Sequence, residues 1–235
     1  MSNASEAVKA RRRARRARWQ RPLETAQDRR EAWASLLLSD HGFLRLAYRN
    51  RRQVTPDLWR SAQPSPRDIR WAAQRGIRTV LSLRGEGNGG DLLEQEACTR
   101  HNLNFERIVM WSRGAPPKDS LYTALDRFPQ LERPILLHCK SGADRAGLGA
   151  ALFRIIVDGA PVAIARKELS LRYGHIRHAK TGILDAFLDA FETTGEARGI
   201  DLRTWVTDHY DPAALKASFV SNRAGDTLLS LLRRE

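Results

Sequence analysis

Cysteine is almost missing from this sequence. Cys98 and Cys139 are the two in 235 residues, too few for a disulfide framework and without the paired spacing of a metal site. A reducing compartment suits such a chain. Long apolar runs are also missing: none approaches the ~20 residues needed to cross a bilayer, so no membrane span is expected. No segment repeats. Carboxylates are absent from one stretch in particular, KARRRARRARWQR at residues 9–21, which carries eight basic side chains and no acid in a chain of net charge +13. Such a block reads as a solvated arm that can hold anionic lipid or nucleic acid through phosphate contacts. Its one aromatic, Trp19, is poor provision for stacking on single-stranded nucleic acid, so nucleic acid is the weaker partner. The apolar stretch that follows, WASLLLSDHGFL, is short and carries Asp40 and His41. Neither a secretory nor a twin-arginine export signal is therefore expected, while an organelle transit peptide stays open.

Beyond the arm, at residues 1–30, helical spacing of Trp33, Leu36, Leu37, Phe43 and Leu44 predicts one helix leading into the domain. Strand and helix signals then alternate. DLWRSAQ reads as a strand. SPRDIRWAAQRG reads as a helix with Ser65 and Pro66 at its start and Gly76 at its stop. IRTVLSLR is a strand ending in the glycine-rich GEGNGG, DLLEQEACTRHN a helix, and LNFERIVMW a strand. After the loop SRGAPP come a helix, KDSLYTALDRFP, and a buried strand, RPILLHC. RAGLGAALFRIIVDG, APVAIARKELSLRYG and TGILDAFLDAFETTG read as three further helices. Strands separated by helices imply an α/β fold, a central mainly parallel sheet flanked by helices on both faces. The expected organisation is the arm, a catalytic domain over 31–195, and a C-terminal helical extension over 196–235 holding DPAALKASF and DTLLSLLRR.

The chemistry concentrates at HCKSGADRAG, between the buried strand and the helix. A loop at the carboxyl end of a strand, backed by a helix N-terminus, is where an α/β sheet binds an anion. Gly142 lets the backbone curl so that the amides of Lys140, Ser141, Gly142, Ala143, Asp144 and Arg145 converge. Arg145 can hold two phosphate oxygens at once. Amides, helix dipole and Arg145 all favour the thiolate of Cys139, aimed at the phosphorus of a bound ester.

HCKSGADRAG resembles the signature loop of the Cys-dependent protein tyrosine and dual-specificity phosphatases, His-Cys-x5-Arg followed by Ser or Thr and Gly. The upstream LWRSAQPSPRDIRWAAQRGIRTVLSLRGE is similar to the entry segment of the compact atypical members. The resemblance covers about residues 50–180. It implies transfer of phosphate to Cys139 and hydrolysis of the phosphocysteine by water, with no metal or other cofactor. Two positions depart from the pattern. Ala146 stands where the family carries a hydroxyl that helps the thiolate leave. The loop WSRGAPPKD offers Ser112, Arg113 and Gly114 where an acid is expected, leaving Asp119 in a helix first turn. Asp144, inside the loop, resembles the proton donor proposed for myotubularin-type lipid phosphatases; its alternative is a carboxylate that orients Arg145.

The expected substrate is a phosphomonoester, phosphotyrosine or the phosphate of a phosphoinositide or other phospholipid headgroup. An RNA 5′-phosphatase and a non-catalytic phosphate-binding module are the alternatives. A cytoplasmic place is expected, with peripheral attachment to an anionic membrane open through the arm. Cys98 reads as a small core residue, and Lys140 either as a cation at the phosphate mouth or as a solvated lysine. Arg113, Lys118, His175, His178 and Lys180 are rim residues with no spacing to support a role.

Overall fold

The computed structural model describes residues 17–219. The first sixteen residues of the basic arm and the expected helix DTLLSLLRR lie outside the described residues. Sheet order is β1-β2-β5-β3-β4, with β1 (Arg52–Thr55), β2 (Leu58–Ala62), β3 (Thr79–Ser82), β4 (Asn104–Arg107) and β5 (Ile135–Cys139). β1 pairs antiparallel with β2, and every other neighbour is parallel. The sheet is thus mainly parallel and flanked by helices, the expected class. β1 is the added strand: RQVT precedes the turn at Pro56 and Asp57 and reads weakly on its own because its residues are exposed or half-buried.

Side chains alternate across the strands and split the core in two. Leu81, Ile135 and Leu137 face one side and pack with α5 (Lys118–Arg127), α6 (Asp144–Ile156) and α8 (Ile183–Thr194). Val80 and Leu136 face the other and pack with α3 (Pro66–Gln74) and α4 (Gly89–Arg100). Cys98 lies in this second core, fully buried, with burial pushing its thiol pKa up; Cys139 belongs to the first, and both thiols are free. The helix starts follow the sequence signals. Ser65 and Asp68 form a capping box around Pro66, and Gly76 takes φ +75° just past the end of α3.

Three expectations are corrected. The single helix expected over 28–49 is divided into α1 (Ala26–Ala34), a π-helical turn (Ser35–Ser39) and α2 (Gly42–Ala47), with His41 in the left-handed region between them. The strand expected over 103–111 ends at Arg107, and the helix expected over 160–174 shrinks to α7 (Val162–Ala165) followed by separate 3₁₀ turns. At the ends, Trp19 and Leu23, placed with the arm, are buried with Ala32, Leu36 and Leu93. The C-terminal helices α9 (Leu202–Asp208) and α10 (Pro212–Ser218) close the described chain. Leu202, Trp205, Val206 and Tyr210 join the first core, and Tyr210 donates to the Pro116 carbonyl at 2.8 Å. Among the described residues no helix is long and apolar enough to cross a membrane.

Candidate active site

Cys139 ends β5 in the middle of the sheet, paired in parallel register with Ala62 at the end of β2. It is 2% exposed, and α6 begins five residues later. Between them the loop carbonyls are held from outside, one after another. Lys140 O accepts from Gln63 N at 3.2 Å, and Ser141 O from Asn50 Nδ2 at 3.1 Å. Gly142 O and Ala143 O accept from the Arg60 guanidinium at 2.8 and 3.0 Å. In a planar trans peptide the N–H points opposite to its C=O, so outward carbonyls turn the N–H groups of residues 141–144 inward. The Gly142 N–H shows the result: it donates to Cys139 Sγ at 3.3 Å.

Gly142 is required for this curl. Its φ is +72°, and a Cβ there would sit 2.6 Å from Ala62 N and 2.8 Å from Ser61 O. The first helical bond of α6 runs from Gly147 N to Ala143 O at 2.8 Å, so the amides ahead of it lie at the positive end of the helix. Arg145, on the first turn, is buried beside Cys139 and Asp144. Burial lowers its pKa, the Cys139 and Asp144 charges act against that, and Arg84 adds a like charge.

The device that fixes the loop is buried. Arg60, on β2, is fully buried. Besides the two loop carbonyls it reaches Glu168 O at 2.6 Å and Glu168 Oε2 at 2.8 Å, and it stacks over Tyr173 at 3.9 Å. Its only trace in the sequence is a charge inside an otherwise buried strand, DLWRSAQ. Gly147 lets α6 approach this group: a Cβ there would meet Glu168 O at 2.8 Å.

Asp144 Oδ1 and His175 Nδ1 are 2.8 Å apart, and His175 Nε2 and Asp185 Oδ2 are 2.7 Å apart. With a carboxylate on each nitrogen the ring donates twice and is an imidazolium. Burial alone would lower its pKa, but the hydrogen bonds to Asp144 and Asp185 outweigh it and push the value up to about 9. A second polar group stands on the other side of the loop. Asp40 receives Arg84 through both its oxygens at 2.9 and 3.1 Å, with Arg45 at 2.8 Å and Lys140 Nζ at 3.4 Å. Burial would raise the Asp40 pKa, yet Arg84, Arg45 and Lys140 hold it well below the usual carboxylate range. Lys140 is buried against this group. Gln63, which accepts from Arg84, donates to Asp91 and Glu94, and Glu94 approaches His138 Nε2 to 2.6 Å.

The structure brings Cys139, Lys140, Ser141, Gly142, Ala143, Asp144 and Arg145 together in one loop and adds His175 to it. It does not bring in Asp119, which is exposed on the first turn of α5. Lys118 donates to Thr207 O instead, and His178 lines a cleft shared with His175 and Asp185. Ala146 is fully buried in the first core, and the Gly142 amide contacts the sulfur.

Residues 47–181, more than half of the chain, match the sequence model of a family described as DSP-PTPase phosphatase fused to NAD+ kinase. The chain belongs to this family. It is 29% identical over 150 residues to the dual specificity protein phosphatase TpbA of Pseudomonas aeruginosa strain UCBPP-PA14, covering 62% of this chain and 61% of that protein. To TpbA of strain PAO1 it is 27% identical over 183 residues, covering 76% of this chain and 72% of that one. A crystal structure of P. aeruginosa TpbA superposes with a TM-score of 0.48 at 21% identity, over 72% of this chain and 90% of that chain.

Proposed function

We propose that this chain is a phosphomonoester hydrolase in which Cys139 carries the phosphoryl group between two displacements. The observation that supports this most is the set of loop carbonyls held outward by Gln63, Asn50 and Arg60, which aims the peptide N–H groups at the space in front of the sulfur. Preorganised amides with one arginine fit the three equatorial oxygens of a phosphoryl group in transfer and need no rearrangement as charge moves. In the first step the thiolate attacks phosphorus, the S–P bond forms, and the bond to the leaving oxygen breaks. In the second, water attacks phosphorus and the thiolate leaves, accepting the Gly142 N–H as it regains charge.

Asp144 supplies the proton for the leaving oxygen. It lies in the loop, whereas Asp119 has no contact with it. The proton comes from the His175 imidazolium: transfer from Nδ1 to Asp144 gives a neutral acid, and the neutral imidazole stays hydrogen-bonded to Asp185 through Nε2. A bound phosphate dianion and the thiolate favour that transfer, because both repel the Asp144 charge. In the second step Asp144 takes a proton from the attacking water and His175 is recharged. The dual-specificity assignment of the relatives favours a phosphorylated protein side chain, phosphotyrosine included, as substrate. Phospholipid headgroup phosphates offer the loop the same group, and a panel of phosphopeptides and phosphoinositides ranks the two by kcat/KM.

Cys139→Ser is expected to abolish turnover of nitrophenyl phosphate while keeping vanadate binding, since the amides and Arg145 remain. Arg145→Ala loses both. Appreciable turnover by the serine variant, or dependence of the parent on added divalent metal, overturns the mechanism.

A further inference from the structure

Beside the mouth of the loop the surface changes character. Leu38, Phe43, Leu44 and Tyr48 are 71%, 52%, 43% and 50% exposed, and all lie on the short segment that sends Asp40 to Lys140 and Arg84. Leu171, 76% exposed, stands two residues before Tyr173, whose carbonyl accepts from Tyr48 Oη and Asn50 Nδ2. Isolated exposed apolar residues are ordinary; bulky ones gathered on neighbouring segments at the mouth of a site are a patch with a use.

The chain passes directly from this patch into cations. Arg49 and Arg51 follow Tyr48 and, with Arg67 and Arg70 of α3, line an open cleft of about 350 Å³ beside Trp71. Asp68 is the one carboxylate in that lining. Its Oδ1 takes both Arg49 at 3.2 Å and Arg51 at 3.3 Å, while Oδ2 is used by Ser65 in the cap of α3. The cleft is therefore lined by four guanidinium groups and one carboxylate, which pairs with two of them. The Arg51 pKa is lowered, chiefly by burial, with Asp68 opposing and the like charges of Arg49 and Arg75 adding to the shift. Backbone pairing places the cleft close to the catalytic loop: Ala62 N donates to Arg49 O at 2.8 Å, and Ala62 is the partner of Cys139 across the sheet. Two such spacings are roughly 10 Å.

We propose that Leu38, Phe43, Leu44 and Tyr48, with the arginine cleft behind them, dock the protein on the surface of an anionic phospholipid bilayer. The apolar side chains enter the interface, and the cleft holds an anionic headgroup. An acidic peptide would neutralise the cleft and leave the bulky side chains in water. A second copy, of the same net charge of +13, would bring cations to cations. A bilayer with anionic lipid meets both halves of the surface at once. The catalytic loop then faces the membrane, because Asp40 of the docking segment is tied to Lys140 and Arg84. The inference is separate from the catalytic reading, since docking is measured without turnover.

Flotation of the full chain with vesicles of phosphatidylcholine, alone or mixed with phosphatidylserine, tests it. The parent is expected to float with the mixed vesicles and to be released by salt. Phe43→Ser/Leu44→Ser and Arg67→Gln/Arg70→Gln should each weaken that binding by about tenfold or more. Both should keep the parent's thermal midpoint and its turnover of soluble nitrophenyl phosphate. If the apolar pair fails to fold, the arginine pair, on a different element, carries the test. The proposal is overturned if the parent ignores phosphatidylserine or if both double variants bind as the parent does, which assigns any attachment to the basic arm. It is equally overturned if the apolar pair abolishes a dimer seen by light scattering, or if an acidic peptide, not lipid, occupies the cleft.

Discussion

At the scale of single residues the tightest coupling runs through His175, whose two nitrogens meet Asp144 and Asp185. Asp144→Asn is expected to slow hydrolysis of an alkyl phosphate far more than that of nitrophenyl phosphate, whose leaving group needs no proton. A placed general acid contributes roughly 10²–10⁴-fold, so the two losses should separate clearly; equal losses would make Asp144 structural. His175 also links stability to pH. Its folded pKa, about 9, lies above the ordinary 6.5, so the clamp contributes fully below pH 6.5 and its contribution is lost as pH rises through 9. The parent should therefore lose thermal stability between those values relative to His175→Gln, by about 3 kcal/mol at most. Parallel pH dependences for the two proteins would show that folding does not raise the pKa of the ring. The sequence names Cys139, Asp144 and Arg145 through their spacing around Gly142, but it gives His175 no more weight than His178, because the partner that matters lies 31 residues away.

At the scale of elements, the loop is held by β2 more than by its own strand. Arg60 joins the Gly142 and Ala143 carbonyls, 82 and 83 residues away in sequence, to Glu168, 108 residues away. This explains the missing helix over 160–174. The Glu168 carbonyl is given to Arg60, and the chain must turn back to bring Tyr173 under the guanidinium and His175 to Asp144, so α7 stops at Ala165. Local periodicity in APVAIARKELSLRYG cannot report that demand. Arg60→Lys keeps the charge and loses the fork, so it should fold yet bind vanadate more weakly than the parent. Arg60→Met leaves Glu168 buried without its partner and should destabilise by about 3–5 kcal/mol in urea titrations. If the lysine variant holds vanadate as well as the parent does, the outward tether of the loop is dispensable.

For the whole molecule, the described N-terminal segment is part of the fold. Trp19 and Leu23 are buried against Ala32, Leu36 and Leu93, and Arg18 is paired with Asp28 and Glu31. Removing residues 1–16 is expected to leave nitrophenyl phosphatase activity and the thermal midpoint unchanged, since no group assigned to the site lies there. Removing residues 1–24 takes away two buried side chains that cover Leu93. It should cost about 3 kcal/mol or more, read by urea denaturation. A longer truncation as stable as the parent would mean that the segment rests on the domain without supporting it. The opposite end behaves alike. Trp205 stacks on Tyr210 and meets Phe187 and Phe191 of α8 edge-on or tilted, so residues 202–210 share the first core.

What the sequence determined by itself is local. Alternating apolar patterns, Ser65-Pro66 and Gly76 at the ends of α3, and an apolar strand running into Cys-x5-Arg each depend on residues within a few positions of one another. From them follow the mainly parallel α/β sheet, the place of the loop at a strand's carboxyl end, and the cysteine at its centre. Tertiary structure alone decided which side chains hold that loop open and which reach Asp144. Asn50, Arg60, Glu168 and His175 are spread over more than a hundred residues and meet only when β2 lies beside β5 and the segment after α7 folds back. A buried charge is tolerable only where its partners converge, and convergence of distant residues leaves no period in a sequence.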